Sequence, residues 1–455
     1  MMKTIEMKEA MRLVAVGAAA SPVQRLELQN QRLRQLVAYV REHSPYFAGL
    51  YAGLPDDFTL ADLPFTEKGT LLEHYDDWVT DRELTLDRVM EYTGLPVAGR
   101  GQLLGRYSAL CTSGSTGKPL PMVRDDYHNK IHGAMTMQRL YNIGNQEVLN
   151  IARHKVASVI HMSPNASSYN GFLRTQAQFP QAAGNMLAVS VMEGIDDIVR
   201  QLNGFQPEML SGYASSLVLL AMEKEKGRLD IPVKLIANSA ELLTDEAYRR
   251  IQQAFGCPVI NNYCMTEGGE IAMTNHCPHL HLNEDWVIVE PVDADKRPMP
   301  PGSTGFSDGI FITDLSNYVQ PIIRYYVDDR VRILPENDCP HSSLPILQID
   351  GRVFHLFTLC GKSFTMASIH SKAEVWPGIL QYQIVQTGPD SLQVRGVCSP
   401  EADPAGVLGS LAACLLDYFR ASGCLNADIT GCTQPLVHNE RGGKIPPYVN
   451  VSSAG

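Results

Sequence analysis

The chain has 455 residues, 44% of them hydrophobic, and its formal net charge is −11 at pH 7. That length exceeds a single ordinary hydrophobic core, so two or three domains are expected. The acidic balance and the lack of a long basic run argue against nucleic acid or an anionic membrane as a partner, although a local group of N–H donors and cations can still bind ATP.

The cysteines and the N-terminal segment indicate the compartment. Ten cysteines are scattered without a disulfide-like spacing, which suits a reducing environment. No apolar run reaches the roughly 20 residues of a transmembrane helix. The run 13–20 imitates a signal peptide only faintly, because Glu6 and Glu9 stand where such a leader is basic. The sequence therefore predicts a cytoplasmic protein without membrane contact.

Hydrophobic periodicity gives the predicted elements of the first 262 residues. Residues 23–44 are predicted to form an amphipathic helix, because apolar side chains recur at i, i+3, i+4 and i+7. The middle of the chain alternates short apolar runs with helical patterns, which favours α/β layers and parallel strands. The predicted strands are 156–162, 186–191, 233–236 and 258–262, and the predicted helices are 196–202, 215–225 and 245–255.

The pattern changes at about residue 286 to short β-rich runs separated by Pro and Gly. The runs 287–289, 309–313, 322–326 and 331–334 predict a small antiparallel or barrel-like section. Further on, two strands (381–386 and 391–397) and a helix (408–419) predict a compact α+β unit. The predicted fold is therefore α/β, with a large N-terminal domain over residues 1–350 and a small mobile domain over residues 351–455.

One loop is rich in Gly, Ser and Thr and ends in lysine. Its backbone N–H groups and hydroxyls are suited to face phosphate oxygens, and the lysine adds a point charge. The loop is not a Walker A motif, because Thr112 stands where that motif has its first glycine and Pro119 where it has Ser or Thr. A mobile turn is the alternative interpretation of the loop alone. Its residues are Thr112, Ser113, Gly114, Ser115, Thr116, Gly117 and Lys118.

Five further segments follow in order along the chain. Asn238-Ser239-Ala240-Glu241 and Tyr263-Cys264-Met265-Thr266-Glu267 each come after a predicted strand, where ligands of open α/β sheets bind. An Arg-Tyr…Asp segment ends at Asp329. Gly351-Arg352 and Gly442-Gly443-Lys444 complete the series.

This order resembles the adenylate-forming superfamily of acyl-CoA synthetases, peptide-synthetase adenylation domains and luciferases. Within it, the chain is most similar to the phenylacetate–CoA ligase and coenzyme F390 synthetase-like branch, which the segment Leu63-Pro64-Phe65-Thr66-Glu67-Lys68 also matches. The resemblance covers nearly the whole chain. It depends on the order of several segments, since one Gly/Ser/Thr loop alone is weak evidence.

The resemblance implies ATP, Mg²⁺ and coenzyme A as cofactors and assigns roles to the segments. Residues 112–118 hold the β- and γ-phosphates, and Asp329 binds the ribose hydroxyls with Arg352 nearby. Thr266 contacts the α-phosphate, Glu267 coordinates Mg²⁺, and Lys444 is the adenylation lysine. The residues implied along the adenine are Ala240, Glu241, Asn262 and Tyr263.

The chemistry requires such groups, because an acid carboxylate and the α-phosphate are both anions and their charge must be offset in the transition state. Each assignment has a structural alternative. Glu267 is otherwise a solvated loop acid, Asp329 a turn residue, Lys444 an exposed terminal lysine and Arg352 half of a surface ion pair. The chain also departs from the family at Cys264 and Asp328, where glycine is usual, and at Val353-Phe354-His355, where a hinge aspartate is usual.

Two short Cys/His pairs suggest a structural metal site. Cys277, His281, Cys339 and His341 are a plausible tetrahedral set for Zn²⁺, with His276 or His279 as substitutes. The alternative is that these side chains only pack or touch substrate, since cysteines are often buried hydrophobic residues.

The acyl pocket is predicted by resemblance from residues 161–172 and 211–217. Glycines and aromatic side chains there suit a flat aromatic acid, and core packing is the alternative for each of them. Arg174 is the cationic side chain next to these windows, so the acid is expected to be oriented mainly by shape and by Mg²⁺. The candidates are Ser167, Tyr169, Gly171, Phe172, Gly212 and Tyr213.

The sequence thus predicts an AMP-forming acid–thiol ligase. It would convert a carboxylic acid, aryl or arylacetic, to an acyl-adenylate and pass the acyl group to the thiol of coenzyme A. Its partners are small molecules. The oligomeric state stays open, although a dimer is common in the branch that the chain resembles. One alternative changes the acceptor to a carrier-protein thiol, an amine or a hydroxyl. A second alternative is a nucleotide- or acyl-binding protein without catalysis.

Overall fold

A computed structural model describes thirteen ranges of the chain: 4–95, 100–112, 119–142, 150–162, 167–274, 277–334, 337, 339–340, 342–349, 356–373, 376–399, 401–437 and 447–451. The α-helices within these ranges are α1 (Met7–Ala19), α2 (Pro22–His43), α3 (Pro45–Leu50), α4 (Lys68–Glu73), α5 (Tyr75–Trp78), α6 (Leu86–Gly94), α7 (Asp126–Asn142), α8 (Ser167–Gln178), α9 (Ile195–Phe205), α10 (Ala214–Glu225), α11 (Asp245–Phe255), α12 (Met366–Ala373) and α13 (Pro404–Ala421).

The strands lie in several separate sheets. They are β1 (Ser108–Cys111), β2 (Pro121–Arg124), β3 (Val156–Ile160), β4 (Met186–Ser190), β5 (Met209–Gly212), β6 (Leu235–Ser239), β7 (Val259–Met265), β8 (Gly269–Thr274), β9 (Leu280–Leu282), β10 (Val287–Val292), β11 (Gly309–Asp314), β12 (Tyr325–Val327), β13 (Val331–Ile333), β14 (Ile346–Ile349), β15 (Leu356–Leu359), β16 (Lys362–Thr365), β17 (Ile379–Gln386), β18 (Ser391–Cys398), β19 (Asp428–Cys432) and β20 (Tyr448–Asn450).

Helix α2 confirms the first predicted helix. A capping box between Ser21 and Gln24 begins it, with proline in the first turn, where a missing N–H costs nothing. The four predicted apolar side chains are buried.

The run that imitates a signal peptide belongs to helix α1. Its Gly17 packs closely against Asp285, since a Cβ added at Gly17 would lie 2.0 Å from a carboxylate oxygen. Among the described residues, no helix is both long enough and apolar enough to span a membrane.

The central sheet has nine strands in the order β13-β14-β9-β8-β7-β6-β5-β3-β4. Strands β4, β3, β5, β6 and β7 pair in parallel, and helices α9, α10 and α11 connect them, so the predicted alternation is confirmed. From β7 onward the pairing is antiparallel. The parallel strands therefore end at one edge, where loops can form a crevice.

Two strand predictions near this sheet are wrong. The run 331–334 was expected in the small β-rich section, but β13 pairs with β14 at the end of the central sheet. The strand predicted over 258–262 continues to Met265, because β8 returns beside it as a hairpin partner. Tyr263 and Cys264 therefore belong to a strand and do not follow one.

The small β-rich section is a three-stranded antiparallel sheet of β10, β11 and β12, so this part of the prediction is confirmed. Its last strand begins later than predicted, at Tyr325. The Leu63–Lys68 segment is attached to this sheet, because Thr66 donates its N–H to the Arg324 carbonyl and accepts from the Tyr326 N–H, both at 2.9 Å. That attachment places Lys68 beside the crevice.

The C-terminal part contains its own sheet and its own core. Strands β19, β18, β17 and β20 form the sheet, and α13 packs against it. Helix α13 buries Leu408, Leu411, Leu415 and Phe419 in a cluster that also contains Ile384. The predicted boundary at residue 351 lies outside the described residues, and the division into two domains stays a prediction.

Candidate active site

The adjacent ends of β6 and β7 form one side of the candidate site. Asn238 at the end of β6 is fully buried and donates to the Asn261 side chain at 2.7 Å and to the Glu241 carbonyl at 3.0 Å. These bonds hold the turn in which Ala240 takes a left-handed conformation, with φ of 66°. The backbone of residues 240–241 is therefore fixed beside β7.

The Glu241 carboxylate faces the start of α10. It accepts from the Ser215 N–H at 2.8 Å and from the Ser215 hydroxyl at 3.0 Å, which is a favourable position for an anion at a helix N-terminus. Residues 240–241 thus offer a ligand mainly their backbone N–H and C=O groups. Their role along the adenine stays a prediction.

Two predicted nucleotide residues that are 66 positions apart meet in the structure. The Tyr263 hydroxyl donates to Asp329 Oδ2 at 2.7 Å. Tyr263 lies on β7, and Asp329 follows β12 of the small sheet. This contact joins the central sheet to the small sheet across the crevice and orients the Asp329 carboxylate.

The Thr266-Glu267 segment forms the tip of the β7–β8 hairpin. Arg124 at the end of β2 donates to the Thr266 carbonyl at 2.7 Å, which fixes the tip. Gly269 has φ of 63°, and a Cβ there would lie 2.3 Å from the His132 ring. The tight turn therefore requires glycine at this position for both conformation and space.

Charged side chains from distant segments surround Glu267. Burial raises the pKa of Glu267, while Lys68 and Arg124 act in the opposite direction and Asp329 raises the pKa further. Burial lowers the pKa of Lys68, and the nearby Glu267 raises it. Burial, reinforced by the nearby Glu267 carboxylate, raises the pKa of Tyr325. Glu267 is thus a partly buried acid with cations close by, and its role as a Mg²⁺ ligand stays a prediction.

The sequence prediction missed the roles of Lys68 and Arg124 in this crevice. Lys68 was part of a family-matching segment without an assigned contact, and that match was the signal for it. Arg124 ends a short strand that was not predicted. Its position depends on the β1–β2 hairpin, which no local pattern marks.

The Gly/Ser/Thr loop is described only at its first residue. Thr112 donates its N–H to the Leu120 carbonyl at 2.9 Å, and its hydroxyl accepts from the Leu120 N–H at 3.0 Å. These bonds close the hairpin of β1 and β2 at the base of the loop. Several predicted site residues lie outside the described residues, namely Ser113, Gly114, Ser115, Thr116, Gly117, Lys118, Arg352, Lys444 and His341.

The predicted acyl-pocket residues divide into packed and accessible groups. Tyr213 is buried, and its hydroxyl accepts from the His161 N–H at 3.0 Å. A Cβ at Gly212 would lie 3.1 Å from a backbone oxygen of β3, so close packing explains this glycine. Tyr169 and Phe172 on α8 are partly buried, and an added Cβ at Gly171 would meet no atom within 4 Å. The pocket role of these residues stays a prediction.

Three of the four predicted metal ligands come together. Cys277 Sγ lies 3.0 Å from His281 Nε2 and 3.4 Å from Cys339 Sγ. The other ring nitrogen of His281, Nδ1, faces the Leu344 carbonyl at 3.0 Å, which leaves Nε2 directed at the thiols. Burial, reinforced by Cys339, raises the pKa of Cys277 to about 11. Two thiols and an oriented imidazole converge on one point.

A buried charged network supports the back of the crevice. His128 and His132 stack on α7, and Asp314 accepts from His128 Nε2 at 2.9 Å. His132 Nδ1 lies 2.7 Å from Glu270 Oε2. Burial would lower the pKa of His132, but Asp314 and Glu270 outweigh it and raise the pKa to about 9. His132 Nε2 faces the Ser316 hydroxyl at 3.1 Å, so both ring nitrogens have protein partners.

This network predicts a pH-dependent stability. The pKa of His132 rises from 6.5 to about 9 on folding, so its stabilisation is complete below pH 6.5 and is lost as the pH rises towards 9. At about 1.4 kcal/mol per pKa unit, the loss is about 3 kcal/mol. Urea unfolding at pH 6.5 and pH 9 is expected to show a smaller alkaline loss in His132→Gln than in the wild type. Exposed His74→Gln is the control, and equal losses in all three proteins would contradict the assignment.

Relatives resemble this chain over most of its length. The chain is 22% identical over 415 residues to Protein CapK of Staphylococcus aureus, which covers 85% of this chain and 81% of that protein. It is 24% identical over 379 residues to the phenylacetate–coenzyme A ligase of Thermus thermophilus, which covers 79% of this chain and 77% of that protein. No protein-family model matches the chain. The relatives confirm the resemblance to the phenylacetate–CoA ligase branch.

Solved structures share the fold. 2-Hydroxyisobutyryl-CoA ligase, in complex with 2-HIB-AMP and CoA in its thioesterification state, superposes with a TM-score of 0.61 at 18% identity, over 96% of this chain and 91% of that one. The same enzyme in its postadenylation state with 2-HIB-AMP gives a TM-score of 0.57 at 17% identity, over 97% and 92% of the two chains. The predicted α/β fold class is confirmed.

Proposed function

We propose that this chain, which has the fold of a CoA ligase and the ordered motifs of the phenylacetate–CoA ligase branch, is an AMP-forming acid–thiol ligase. The carboxylate of an organic acid attacks the α-phosphorus of ATP, and pyrophosphate leaves. The thiol of coenzyme A then attacks the carbonyl carbon of the acyl-adenylate, and AMP leaves. The activities of the similar phenylacetate–CoA ligases and of 2-hydroxyisobutyryl-CoA ligase support this assignment.

The observation that carries the proposal is the Tyr263–Asp329 contact beside Glu267. Residues from two sheets meet in one crevice at the carboxyl ends of the parallel strands. A carboxylate has about four acceptor positions, so Asp329 can hold the Tyr263 hydroxyl and still accept from a ribose diol. Asn262 and the backbone of residues 240–241 line the same edge and suit the adenine. These assignments place the α-phosphate next to Thr266.

Glu267 fits a Mg²⁺ site. Mg²⁺ in nucleotide sites typically takes one or two protein carboxylates, together with phosphate oxygens and water. Glu267 provides one partly buried carboxylate with Asp329 in electrostatic range, and burial raises its pKa, so its charged form would gain from compensation by a cation. A bound Mg²⁺ would supply that compensation and offset charge on the phosphates.

The second half of the proposal concerns residues 351–455. Lys444 is a point charge on a flexible stem, which suits a residue that enters the site for adenylation and leaves for thioester formation. Rotation of this unit between the two steps would admit the thiol and exclude water. The usual hinge aspartate is replaced by the Val353-Phe354-His355 segment, so the hinge would be built from different residues.

The experiment that tests the function is ATP–pyrophosphate exchange with a panel of carboxylic acids, followed by AMP release with and without coenzyme A. Acid-dependent exchange and CoA-dependent AMP release are expected. Exchange without CoA-dependent release would assign a carrier-protein thiol, an amine or a hydroxyl as acceptor. ATP binding without exchange for any acid would support a non-catalytic nucleotide-binding protein.

Cys277, His281 and Cys339 are further proposed to bind a structural Zn²⁺. The fourth ligand predicted from the sequence is His341, which lies outside the described residues. The two thiols and Nε2 already face one another. The Leu344 carbonyl accepts from Nδ1 and so fixes the His281 tautomer, as hydrogen-bond acceptors beside zinc-bound imidazoles do. The three ligands come from two segments, so the ion would join the loop before β9 to the loop before β14.

Zinc should therefore be measurable and stabilising. Purified protein is expected to contain about one zinc per chain, and Cys339→Ser is expected to lower both the metal content and the thermal midpoint by several degrees. The matched control is Cys432→Ser, which changes a half-buried cysteine on β19 of the C-terminal sheet. Wild-type protein that is free of metal after expression in zinc-supplemented medium would contradict the proposal.

A further inference from the structure

The C-terminal sheet holds the chain on both sides of Lys444. Val437 and Pro447 are the described residues that precede and follow Lys444 most closely. On the C-terminal side, β20 pairs in parallel with β17, and Ile384 donates its N–H to the Pro447 carbonyl at 2.8 Å. The backbone of β17 therefore fixes the chain where it returns to the sheet after Lys444.

On the N-terminal side, a buried side chain takes the place of strand pairing. Strand β19 ends at Cys432, and within the described ranges residues 433–437 make no backbone–backbone hydrogen bond. Gln383 on β17 donates from its side-chain amide to the Val437 carbonyl at 2.9 Å and accepts from the Val437 N–H at 2.7 Å. One amide thus pairs with both backbone groups of a single residue, as a neighbouring antiparallel strand would.

Gln383 lies on the face of the sheet that is opposite to the hydrophobic core. Its neighbours Tyr382 and Ile384 belong to the core cluster with α13, and successive side chains of a strand point to opposite faces. Gln383 is nevertheless fully buried. A buried amide is costly unless it is hydrogen-bonded, so the bonds to Val437 stabilise the side chain and the segment together.

A second side chain on this face holds the same segment. Arg395 on β18 is the cross-strand partner of Gln383 and therefore points to the same face. It donates to the Pro435 carbonyl at 3.1 Å, and Gln393 Oε1 accepts two further bonds from its guanidinium at 3.2 and 2.8 Å. Side chains of two neighbouring strands thus hold residues 435–437 against the sheet.

We infer that Gln383 is a positioning residue for Lys444, because its amide fixes the backbone at the start of the segment that carries the lysine. This inference rests on the proposed function, in which Lys444 enters the site for adenylation. A misplacement of about 1 Å can cost about 10²-fold in rate, so a lysine on a flexible side chain depends on a fixed backbone. Gln383 is buried in the C-terminal sheet and acts through Lys444, so its effect is confined to the first half-reaction.

The test is Gln383→Met, measured in both half-reactions. Methionine keeps the length of the side chain and removes both hydrogen bonds to Val437. ATP–pyrophosphate exchange is expected to fall by about 10- to 100-fold. Thioester formation from presynthesised acyl-adenylate and coenzyme A should stay within about twofold of the wild type. Val437→Pro removes the N–H that Gln383 accepts and leaves β17 unchanged, so it should give the same result.

Leu411→Ala on α13 is the matched control, because it creates a cavity in the core on the other face of the sheet. It should lower the thermal midpoint and leave both half-reactions unchanged at a temperature where the protein is folded. Equal losses of both half-reactions in Gln383→Met, an unchanged exchange rate, or the same selective loss in Leu411→Ala would overturn the inference. If Gln383→Met does not fold, Val437→Pro decides by the same criteria.

If no acid supports exchange in the wild type, the proposed function fails, and limited trypsin digestion then tests whether Gln383 fixes the segment. Cleavage after Arg441 or Lys444, identified by mass spectrometry, is expected to be several times faster in Gln383→Met than in the wild type or Leu411→Ala. Equal cleavage rates in the three proteins would reject the inference independently of the enzymatic activity.

Discussion

Lys444→Ala is expected to lower the rate of adenylate formation by about 10²- to 10³-fold. The reason is that a single charged donor aimed at developing transition-state charge typically contributes about that factor. Formation of the thioester from presynthesised acyl-adenylate and coenzyme A is expected to change much less, since the lysine is proposed to act only in the first step. ATP–pyrophosphate exchange and the isolated thioester step measure the two rates.

The control for this variant is Lys372→Ala, which removes a lysine from α12 in the same C-terminal part of the chain. It should leave both half-reactions within about twofold of the wild type, as expected for a surface substitution. A parallel loss of both half-reactions in Lys444→Ala would contradict the catalytic role, because it would indicate damage to the C-terminal unit. An unchanged exchange rate would contradict it as well.

Glu267→Gln is expected to reduce the rate of ATP–pyrophosphate exchange by about 10²-fold or more. It is also expected to raise the Mg²⁺ concentration that gives the half-maximal rate. Glutamine keeps the size of the side chain and removes the charge that would bind the ion. In the wild type, burial raises the pKa of Glu267, so its ionised form is lost as the pH falls, and exchange should fall on the acid side. In the variant, the exchange rate should fall less as the pH is lowered.

Exposed Glu246→Gln on α11 is the matched control for this change. It removes the same charge at a position away from the crevice and should preserve the Mg²⁺ dependence. If Glu267→Gln has the Mg²⁺ dependence of the wild type, the metal assignment is wrong, and the residue serves only to position Tyr325 and Lys68.

Elements with strong local signals were predictable from the sequence. Helix α11 has the predicted bounds, because Thr244 caps its first turn and Gly256 ends it in a left-handed conformation. Helix α2 differs from the prediction by one residue at each end. In both helices the periodic apolar residues lie within the element and the capping and terminating residues lie directly beside it, so neighbouring positions contain the necessary information.

Elements that depend on distant partners were less predictable. Strand β7 extends to Met265 only because β8 pairs with it, and β13 joins the central sheet only because β14 lies beside it. Strand β5, Met209–Gly212, is short and overlaps the predicted pocket segment 211–217, so it was not recognised as a strand. Strand pairing is a tertiary interaction, and short apolar runs do not specify their partners.

The candidate site likewise contains residues that the sequence predicted and residues whose positions depend on distant parts of the chain. The motif order predicted that Tyr263 and Asp329 belong to one nucleotide site, and the structure brings them into hydrogen-bond contact. The position of Arg124 was not predictable, because it depends on the pairing of the short strands β1 and β2.

The central claim is that one crevice holds ATP and the acid so that the carboxylate can reach the α-phosphorus. A crystal structure with a non-hydrolysable ATP analogue and Mg²⁺ tests it most directly. The predicted result is a ribose hydrogen-bonded to Asp329, the metal ion on Glu267 and the terminal phosphates at residues 112–118. A nucleotide bound elsewhere, with Glu267 and Asp329 both free of it, would contradict the account.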